Sequence, residues 1–134
     1  MNQSETIFQM LYVSRLAPGC DFGIVKEIVT VSRQRNPARG ITGALLFDGE
    51  HFGQLLEGPE QMVRSLVDRI GQDARHTDMR VLLAAPFGST RLLQQWRSGY
   101  CDACQLEAFN GEAALRDRPA LDAFRSVLSG ADME

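Results

Sequence analysis

Apolar residues recur along the chain with two different periods, which predict its secondary structure. Residues 7–15 ("IFQMLYVSR") alternate between two largely apolar faces, which predicts a strand buried on both sides. Two apolar runs flank Asp48-Gly49 in "ITGALLFDGEHFGQLLEG", a pattern typical of a β-hairpin. The run "MRVLLAAP" predicts a fourth strand. The run "RLLQQWRSGYC" predicts a short helical start followed by a fifth strand through Trp96 and Tyr100.

Between and after these strands, apolar residues recur at the spacing of a helix. Asp21 can cap a first helix, which we expect to end near Asn36-Pro37 because the residue before a proline avoids helical angles. A second helix begins around Pro59, which the first helical turn can accept. Its apolar stripe comprises Met62, Val63, Leu66, Val67 and Ile70. After Pro119, a third helical stretch has an apolar face formed by Leu121, Phe124, Val127 and Leu128.

The order of these elements predicts an α+β fold, a ferredoxin-like βαββαβ sandwich with an added fifth strand and C-terminal helices. We expect residues 1–100 to form one domain and residues 101–134 to form a helical cap or tail. Two helices cover one face of such a sheet, and the first strand leaves the other face apolar too. Either the helical stretch after Pro119 or a second subunit covers that face.

Composition and charge narrow the class of protein. A chain of 134 residues with 44% hydrophobic content can bury one core. Its net charge of -3 does not favour binding to nucleic acid or to an anionic membrane surface, both of which attract positively charged proteins. No apolar run approaches the roughly 20 residues that span a bilayer, and the first residues do not resemble a secretion signal. With three cysteines, an odd count, we expect a cytoplasmic protein.

A buried polar position at Gln54 raises the question of function. In "HFGQLLEG", strand alternation places Gln54 on an apolar face. Burying an amide costs roughly 2 kcal/mol or more unless partners replace its hydrogen bonds to water. In the predicted topology Tyr12 lies on the neighbouring strand and Asn36 at the end of the first helix. The three either satisfy one another as a buried network or bind a planar polar ligand between Ile28 and Ile70.

Arg69 and Asp73 stand four residues apart at the end of the second helix. The basic residue comes first, which is the weaker order, and Asp73 lies at the negative end of the helix dipole. Helix stability therefore does not explain Asp73. The two residues form either a solvated surface pair or a pair that binds the polyol or phosphate of a ligand.

Possible metal ligands are few. "CDAC", from Cys101 to Cys104, has the spacing of a redox pair or half a zinc site, but it lacks a second cysteine pair and a histidine motif. His51 begins a strand and His76 ends a helix, and neither has a partner in the sequence that suggests a ligand set. We expect both histidines to be structural and expect no metal site.

The segments "YVSR", "SRQRNPARGITGALLFDGEHFGQLLEGP" and "RIGQDARH", followed by a later tryptophan, resemble the BLUF family of blue-light sensors that use flavin adenine dinucleotide (FAD). The resemblance extends from about Ile7 to Tyr100 in one register. It implies that a flavin ring is sandwiched by Ile28 and Ile70. The polar cofactor contacts it implies are Tyr12, Ser32, Asn36, Gln54, Arg69 and Asp73, with Arg75 as a further candidate.

The resemblance also implies photochemical roles for Tyr12, Gln54 and Trp96. In the family, blue light excites the flavin, and the tyrosine gives up an electron and a proton through the glutamine before the radical pair recombines. The glutamine amide is left rotated or tautomerised, and the flavin absorption lies slightly to the red. Trp96 lies either close to the flavin or turned outwards. Ser98 stands where the family usually carries a methionine that is thought to pass the change to the sheet.

These expectations describe a photoreceptor without enzymatic activity, which signals by contact with an unidentified protein and associates with itself. We also expect light to change the order of residues 101–134. One alternative is an acylphosphatase-like hydrolase on the same fold, in which Arg69 and Asn36 hold a phosphate and a water, although no phosphate-cradling loop supports it. The other is a light-insensitive scaffold that binds partners constitutively.

Overall fold

The computed structural model describes residues 6–103, 105–109 and 115–134. Its helices are Phe22–Ala38 (α1), Glu60–Gln72 (α2) and Asp117–Ser129 (α3), and a short 3-10 turn covers Glu107–Phe109. Its strands are Ile7–Leu16 (β1), Thr42–Phe47 (β2), His51–Gly58 (β3), His76–Gly88 (β4), Trp96–Tyr100 (β5) and Asp132–Met133 (β6).

The strands form one sheet in the order β4-β1-β3-β2-β5-β6. Neighbouring strands are antiparallel except β2 and β5, which are parallel. The four strands β1 to β4, with α1 and α2, have the ferredoxin-like arrangement that the sequence predicted, and β5 is the added strand. The two-residue strand β6, which pairs with β5, was not predicted.

Helices cover both faces of the sheet. α1 and α2 pack on the face that carries Tyr12 and Gln54, whereas α3 packs on the opposite face. Phe124 of α3 is fully buried there, and a Cβ on Gly53 would lie only 3.1 Å from its ring. The absence of a side chain at Gly53 therefore allows α3 to approach the sheet. Of the two alternatives for this face, the helical stretch after Pro119 and a second subunit, the structure has α3 packed there.

The hairpin and the first helix begin as predicted. The carboxylate of Asp48 accepts a hydrogen bond of 2.7 Å from the His51 N–H and so closes the turn between β2 and β3. Asp21 caps α1, because its carboxylate accepts a hydrogen bond of 2.9 Å from the Gly23 N–H. Both junctions thus depend on a short acidic side chain that accepts from nearby backbone.

The first sheet-covering helix ends close to the predicted Asn36-Pro37, whereas the predicted end of the second was wrong. α1 continues through Pro37 to Ala38, and the carbonyl of Asn36 accepts hydrogen bonds from residues further along the chain, which closes the last turn. α2 ends at Gln72, so His76 begins β4 instead of ending a helix. Met62, predicted to lie in the apolar stripe of α2, is 37% exposed.

The predicted helical start of the segment before Trp96 was also wrong. The backbone N–H groups of Leu92 and Leu93 donate to the buried carboxylate of Glu57 at 2.9 and 2.8 Å. The guanidinium of Arg91 donates to the backbone carbonyl of Glu57 at 3.0 Å. These side-chain contacts hold the segment as a loop against β3, since they occupy groups that a helix would pair internally.

Candidate functional site

A cleft opens between α1 and α2 above the middle of the sheet. α1 presents Ile28, Ser32 and Asn36 to it, because a spacing of four residues places side chains on one face of a helix. Tyr12 of β1 and Gln54 of β3 reach the cleft from the sheet. The eight residues that the sequence analysis gave as candidates for cofactor binding all line this cleft: Tyr12, Ile28, Ser32, Asn36, Gln54, Arg69, Ile70 and Asp73.

Three side chains of the sheet form a buried hydrogen-bond chain. Tyr12 and Gln54 lie directly opposite each other on neighbouring strands. The Gln54 amide nitrogen donates to the Tyr12 hydroxyl oxygen at 2.6 Å, and the Trp96 indole nitrogen donates to the Gln54 amide oxygen at 2.9 Å. The three side chains are buried, with 1 to 6% of their surface exposed. Trp96 is therefore turned inwards, and the partners of the Gln54 amide are a phenol and an indole.

The Tyr12 phenol is neutral and has an unused donor. Burial raises the pKa of Tyr12 well above its ordinary value; the hydrogen bond from Gln54 lowers it in part, and the negative charge of Asp73 raises it. Its oxygen accepts from Gln54, but among the described residues no acceptor lies within hydrogen-bonding distance of its O–H. A buried donor without an acceptor indicates that a further partner is needed here.

Asn36 has the same property. Only 2% of the residue is exposed, and its side-chain amide makes no hydrogen bond within the described part of the chain. Leaving such a group unpaired costs about 1 to 3 kcal/mol. Asn36 also lines the cleft, so a ligand with polar groups along its edge can satisfy this amide and the Tyr12 hydroxyl together.

The acidic residue of the cleft pairs differently from the prediction. Asp73 binds Arg75, whose guanidinium donates to both carboxylate oxygens at 2.7 to 3.1 Å. The hydrogen bond from Arg75 holds the pKa of Asp73 below its usual value, while burial raises it in part. Of the two alternatives for Arg69 and Asp73, the surface ion pair does not form in the described residues, because Asp73 follows the end of α2 in an extended conformation.

Comparison with known proteins identifies the family. The sequence model of the family described as "BLUF: Sensors of blue-light using FAD" matches residues 7–99. The chain belongs to the BLUF family. This confirms the resemblance on which the expectation of a flavin cofactor depended.

Two BLUF relatives are much longer proteins. The "Blue light- and temperature-regulated antirepressor BluF" of Escherichia coli (strain K12) is 46% identical over 59 residues, which are 44% of this chain and 15% of that protein. The "Photoactivated adenylate cyclase subunit beta" of Euglena gracilis is 33% identical over 91 residues, which are 68% of this chain and 11% of that protein. The chain thus spans a small share of either relative.

A solved BLUF structure matches almost the whole chain. The structure titled "BlrB - a BLUF protein, dark state structure" has a TM-score of 0.65 and 27% sequence identity. The match covers 96% of this chain and 89% of that one. The ferredoxin-like fold is therefore the fold of its BLUF neighbours.

FAD is the cofactor of the BLUF family, and the cleft has the chemistry that a flavin ring requires. Ile28 and Ile70 supply apolar surface on the two helices that border the cleft. Among the described residues, the Asn36 amide and the Tyr12 hydroxyl are the two buried polar groups of the cleft that lack partners. An aromatic ring with polar groups on its edge matches this combination of apolar walls and unpaired donors and acceptors.

Ser98, which the resemblance to the family aligned with a methionine, makes polar contacts to two other elements. Its hydroxyl accepts a hydrogen bond of 3.0 Å from Arg33 of α1 and donates one of 3.3 Å to the Glu134 carboxylate. The Glu134 N–H donates to the Ser98 carbonyl at 2.8 Å. Ser98 therefore connects β5 both to α1 and to the end of β6, by polar contacts that a methionine side chain cannot make.

The sequence analysis missed five residues that line the cleft: Val31, Arg35, Arg39, Leu66 and His76. The signal for two of them was available, because Arg35 and Arg39 continue the helical spacing of Ile28 and Ser32. His76 gave no such signal, since it was assigned to the wrong element.

His76 is buried at the start of β4. Its Nδ1 lies 2.9 Å from the Ser14 hydroxyl, and its ring packs on Phe52 with centroids 4.6 Å apart. Burial lowers the pKa of His76 to about 4, although the charge of Asp73 opposes this shift and Arg75 adds to it. The imidazole is therefore neutral at pH 7 and adds no charge to the cleft.

Other candidate chemistry does not assemble in the described residues. Cys104 lies outside them, and burial raises the pKa of Cys101 to about 11, which keeps its thiol protonated. Nowhere in residues 6–103, 105–109 and 115–134 do three or more potential ligand side chains gather as they would around a metal ion. In the same residues, no helix has the length and apolar character to cross a membrane.

Proposed function

We propose that this BLUF domain is a light-driven switch whose photochemical residues are Tyr12, Gln54 and Trp96. The observation that carries the proposal is the double contact of the Gln54 amide, which donates to a phenol and accepts from an indole. An amide has a donor at one end and an acceptor at the other, so turning it reverses both contacts at once.

The residues proposed to hold FAD surround the cleft. Ile28 and Ile70 would enclose the ring, and Asn36 would satisfy its unpaired amide on the polar edge of the ring. Ser32, Arg69 and Asp73 would supply further polar contacts. The burial of Asn36 and Gln54, at 2% and 3% exposure, supports this assignment, because contacts made there are shielded from water.

Light-driven chemistry at this site needs an electron donor that is buried and protonated. Bound FAD, once excited by blue light, would supply the electron acceptor. Tyr12 would give up an electron to it and, because an oxidised phenol is strongly acidic, also its proton, which the Gln54 amide would relay to the flavin once its oxygen faces the phenol. Electron and proton would both return to Tyr12 at the end of the cycle, so no substrate is consumed and no bond stays broken.

The two orientations of the Gln54 amide satisfy different partners. In the reversed orientation the amide oxygen faces the Tyr12 O–H, which then gains an acceptor. The amide nitrogen faces the Trp96 N–H, and because two donors cannot bond to each other, Trp96 has to move. Reversal breaks both hydrogen bonds of the described orientation and forms one new one. Among these three side chains the described orientation is therefore the more stable, and the reversed one is the excited arrangement of the switch, which returns to it.

The proposed output passes from Trp96 along β5 to the C-terminal residues. Trp96 and Ser98 lie on the same face of β5, two residues apart, and Ser98 binds Glu134 at the end of β6. A shift of β5 therefore loosens the contacts that hold β6. In hydrogen exchange on dark and illuminated samples, we expect faster exchange in light within residues 101–134. Equal exchange there in both states would reject this route.

We propose that the output is contact with another protein, still unidentified, and not catalysis by this domain. The proposed location is the cytoplasm. Self-association also stays a prediction. The apolar second face of the sheet supports it less strongly than the sequence suggested, because α3 already covers that face. Family membership favours the photoreceptor over an acylphosphatase-like hydrolase, and the buried Gln54 network favours it over a scaffold without photochemistry.

The test compares absorption spectra before and after blue illumination for the full chain and a Gln54→Leu variant. We expect both proteins to be yellow, with a reversible red shift in the unchanged chain and none in Gln54→Leu, which keeps the side-chain bulk but lacks the amide. A yellow but light-insensitive unchanged chain would support the scaffold. A colourless chain that hydrolyses acyl phosphates would support the hydrolase.

A further inference from the structure

Glu57 is a fully buried carboxylate on the opposite face of β3 from Gln54, with 0% of its surface exposed. It accepts hydrogen bonds from three neutral donors: the Gln9 side-chain amide at 2.9 Å and the backbone N–H groups of Leu92 and Leu93 at 2.9 and 2.8 Å. A buried charge is costly unless it is well hydrogen-bonded, and an apolar side chain would fill the same space without that cost. The charge therefore serves the contacts of Glu57 and not its packing.

Two of these donors belong to the loop that leads from β4 into Trp96. A second contact holds the same loop, because the Arg91 guanidinium donates to the Thr42 hydroxyl and the Gly40 carbonyl at 2.8 Å each. It also donates to the backbone carbonyl of Glu57 at 3.0 Å. The loop is therefore tied at three consecutive residues to β3 and to the start of β2.

The strand that follows the loop is short, so its register depends on the chain that leads into it. β5 has five residues and lies between β2 and the two-residue strand β6. Trp96 pairs with Gly43, whose N–H donates to the Gln95 carbonyl at 3.1 Å. Side chains alternate along a strand, so a shift of one residue would turn Trp96 to the opposite face, away from Gln54. The position of the loop thus decides whether the indole reaches the Gln54 amide.

We propose that Glu57 is a positioning residue of the switch, which holds the loop before Trp96 so that the indole stays bonded to Gln54 in the dark. This inference rests on the proposed function, in which Trp96 belongs to the switch. β3 then holds Trp96 in two ways, through the Gln54 amide on one face and through the Glu57 carboxylate on the other. Reversal of the amide removes the first contact and leaves the second, which returns β5 to the same register.

Replacing Glu57 by Gln should loosen the loop and leave the flavin site unchanged. The new amide has nearly the same shape, but its NH2 group cannot accept from the backbone N–H groups of the loop. Glu57 does not line the cleft, so the variant should bind flavin, and its yellow colour shows that it is folded. In the dark, we expect iodide to quench the fluorescence of Trp96 at least about twofold more strongly in Glu57→Gln than in the unchanged chain.

Gln9→Leu is the matched control, because it removes the third donor to the same carboxylate and leaves both loop contacts in place. It should lower stability and leave Trp96 as shielded in the dark as in the unchanged chain. Arg91→Gln tests the loop from its other contact. Arg91 is only half-buried, so we expect this variant to fold even if Glu57→Gln does not, and its dark quenching should also rise.

The outcomes separate this inference from the proposed function. Dark quenching in Glu57→Gln and Arg91→Gln that equals that of the unchanged chain overturns the positioning role and leaves the flavin switch intact. An equal rise in Gln9→Leu also overturns it, because the effect would then come from a general loosening of the core. A flavin-loaded unchanged chain without a light-induced red shift overturns the proposed function and, with it, the assignment of Glu57 to a switch.

Discussion

The indole nitrogen of Trp96 and the amide oxygen of Gln54 are joined by a hydrogen bond of 2.9 Å. This bond fixes the orientation of the amide, because the same oxygen cannot face Trp96 and Tyr12 at once. It also holds the indole inside the protein, where only 6% of Trp96 is exposed. The position of Trp96 thus reports the orientation of the Gln54 amide.

Light should make Trp96 more accessible to solvent. Reversal of the amide places two N–H donors against each other, which expels the indole from its buried position. Trp96 is the single tryptophan of the chain, so the tryptophan fluorescence reports on it alone. We expect iodide to quench this fluorescence more strongly in illuminated than in dark samples. Equal quenching in the two states would mean that the indole stays in place.

Replacing Tyr12 by Phe should abolish the light-induced red shift and keep the yellow colour. The change removes the hydroxyl that accepts from Gln54 at 2.6 Å, and with it the proposed donor of the electron and proton. The aromatic ring remains to fill the buried position, so flavin binding should persist. Absorption spectra in dark and light provide the measurement. A normal red shift in Tyr12→Phe would disprove the role of Tyr12.

The stability of the chain should fall in mild acid because of His76. The pKa of His76 is about 4 in the folded state, against 6.5 for an ordinary histidine, so between these two pH values the unfolded chain binds a proton that the folded chain does not. Stability is therefore lost as the pH falls from about 6.5 to about 4, by about 2 kcal/mol between pH 7 and pH 5. Urea unfolding at pH 7 and at pH 5 measures this loss of stability.

The control for this pH effect is His76→Gln, which cannot titrate in this range. The stability difference between the unchanged chain and the variant should shrink from pH 7 to pH 5. If that difference stays constant, His76 is not the group responsible.

The packing of α3 should depend on Phe124. Its side chain is fully buried against the sheet, so Phe124→Ala should lower the free energy of unfolding by about 3 to 5 kcal/mol. Phe22→Ala is the matched control, since Phe22 is 47% exposed, and it should cost about 1 kcal/mol or less. Similar losses in the two variants would contradict the packing of α3 on the second face of the sheet.

Strand alternation was sufficient to predict much of the site. It placed Tyr12 and Gln54 on the same face of neighbouring strands, because side chains in a strand point alternately to opposite faces. Ser32, by contrast, was named only from the resemblance to the family, and the structure places it on the same face of α1 as Ile28 and Asn36. The prediction for Tyr12 and Gln54 required only local periodicity and the strand order of the fold.

The rest depended on contacts between residues far apart in the sequence. The carboxylate of Glu57 holds the loop before Trp96. The two-residue strand β6 depends on pairing with β5, whose other neighbour is β2. The pairing of Asp73 with Arg75 required knowing that α2 ends at Gln72. No local pattern encodes such partners.

The most direct test of the switch is a light-minus-dark infrared difference spectrum of the flavin-loaded chain, with and without isotope-labelled glutamine side chains. The account predicts a label-sensitive carbonyl band that shifts in light, because the hydrogen-bond donor to the Gln54 amide oxygen changes from the Trp96 indole to the Tyr12 phenol. A difference spectrum in which no band responds to the glutamine label would contradict it.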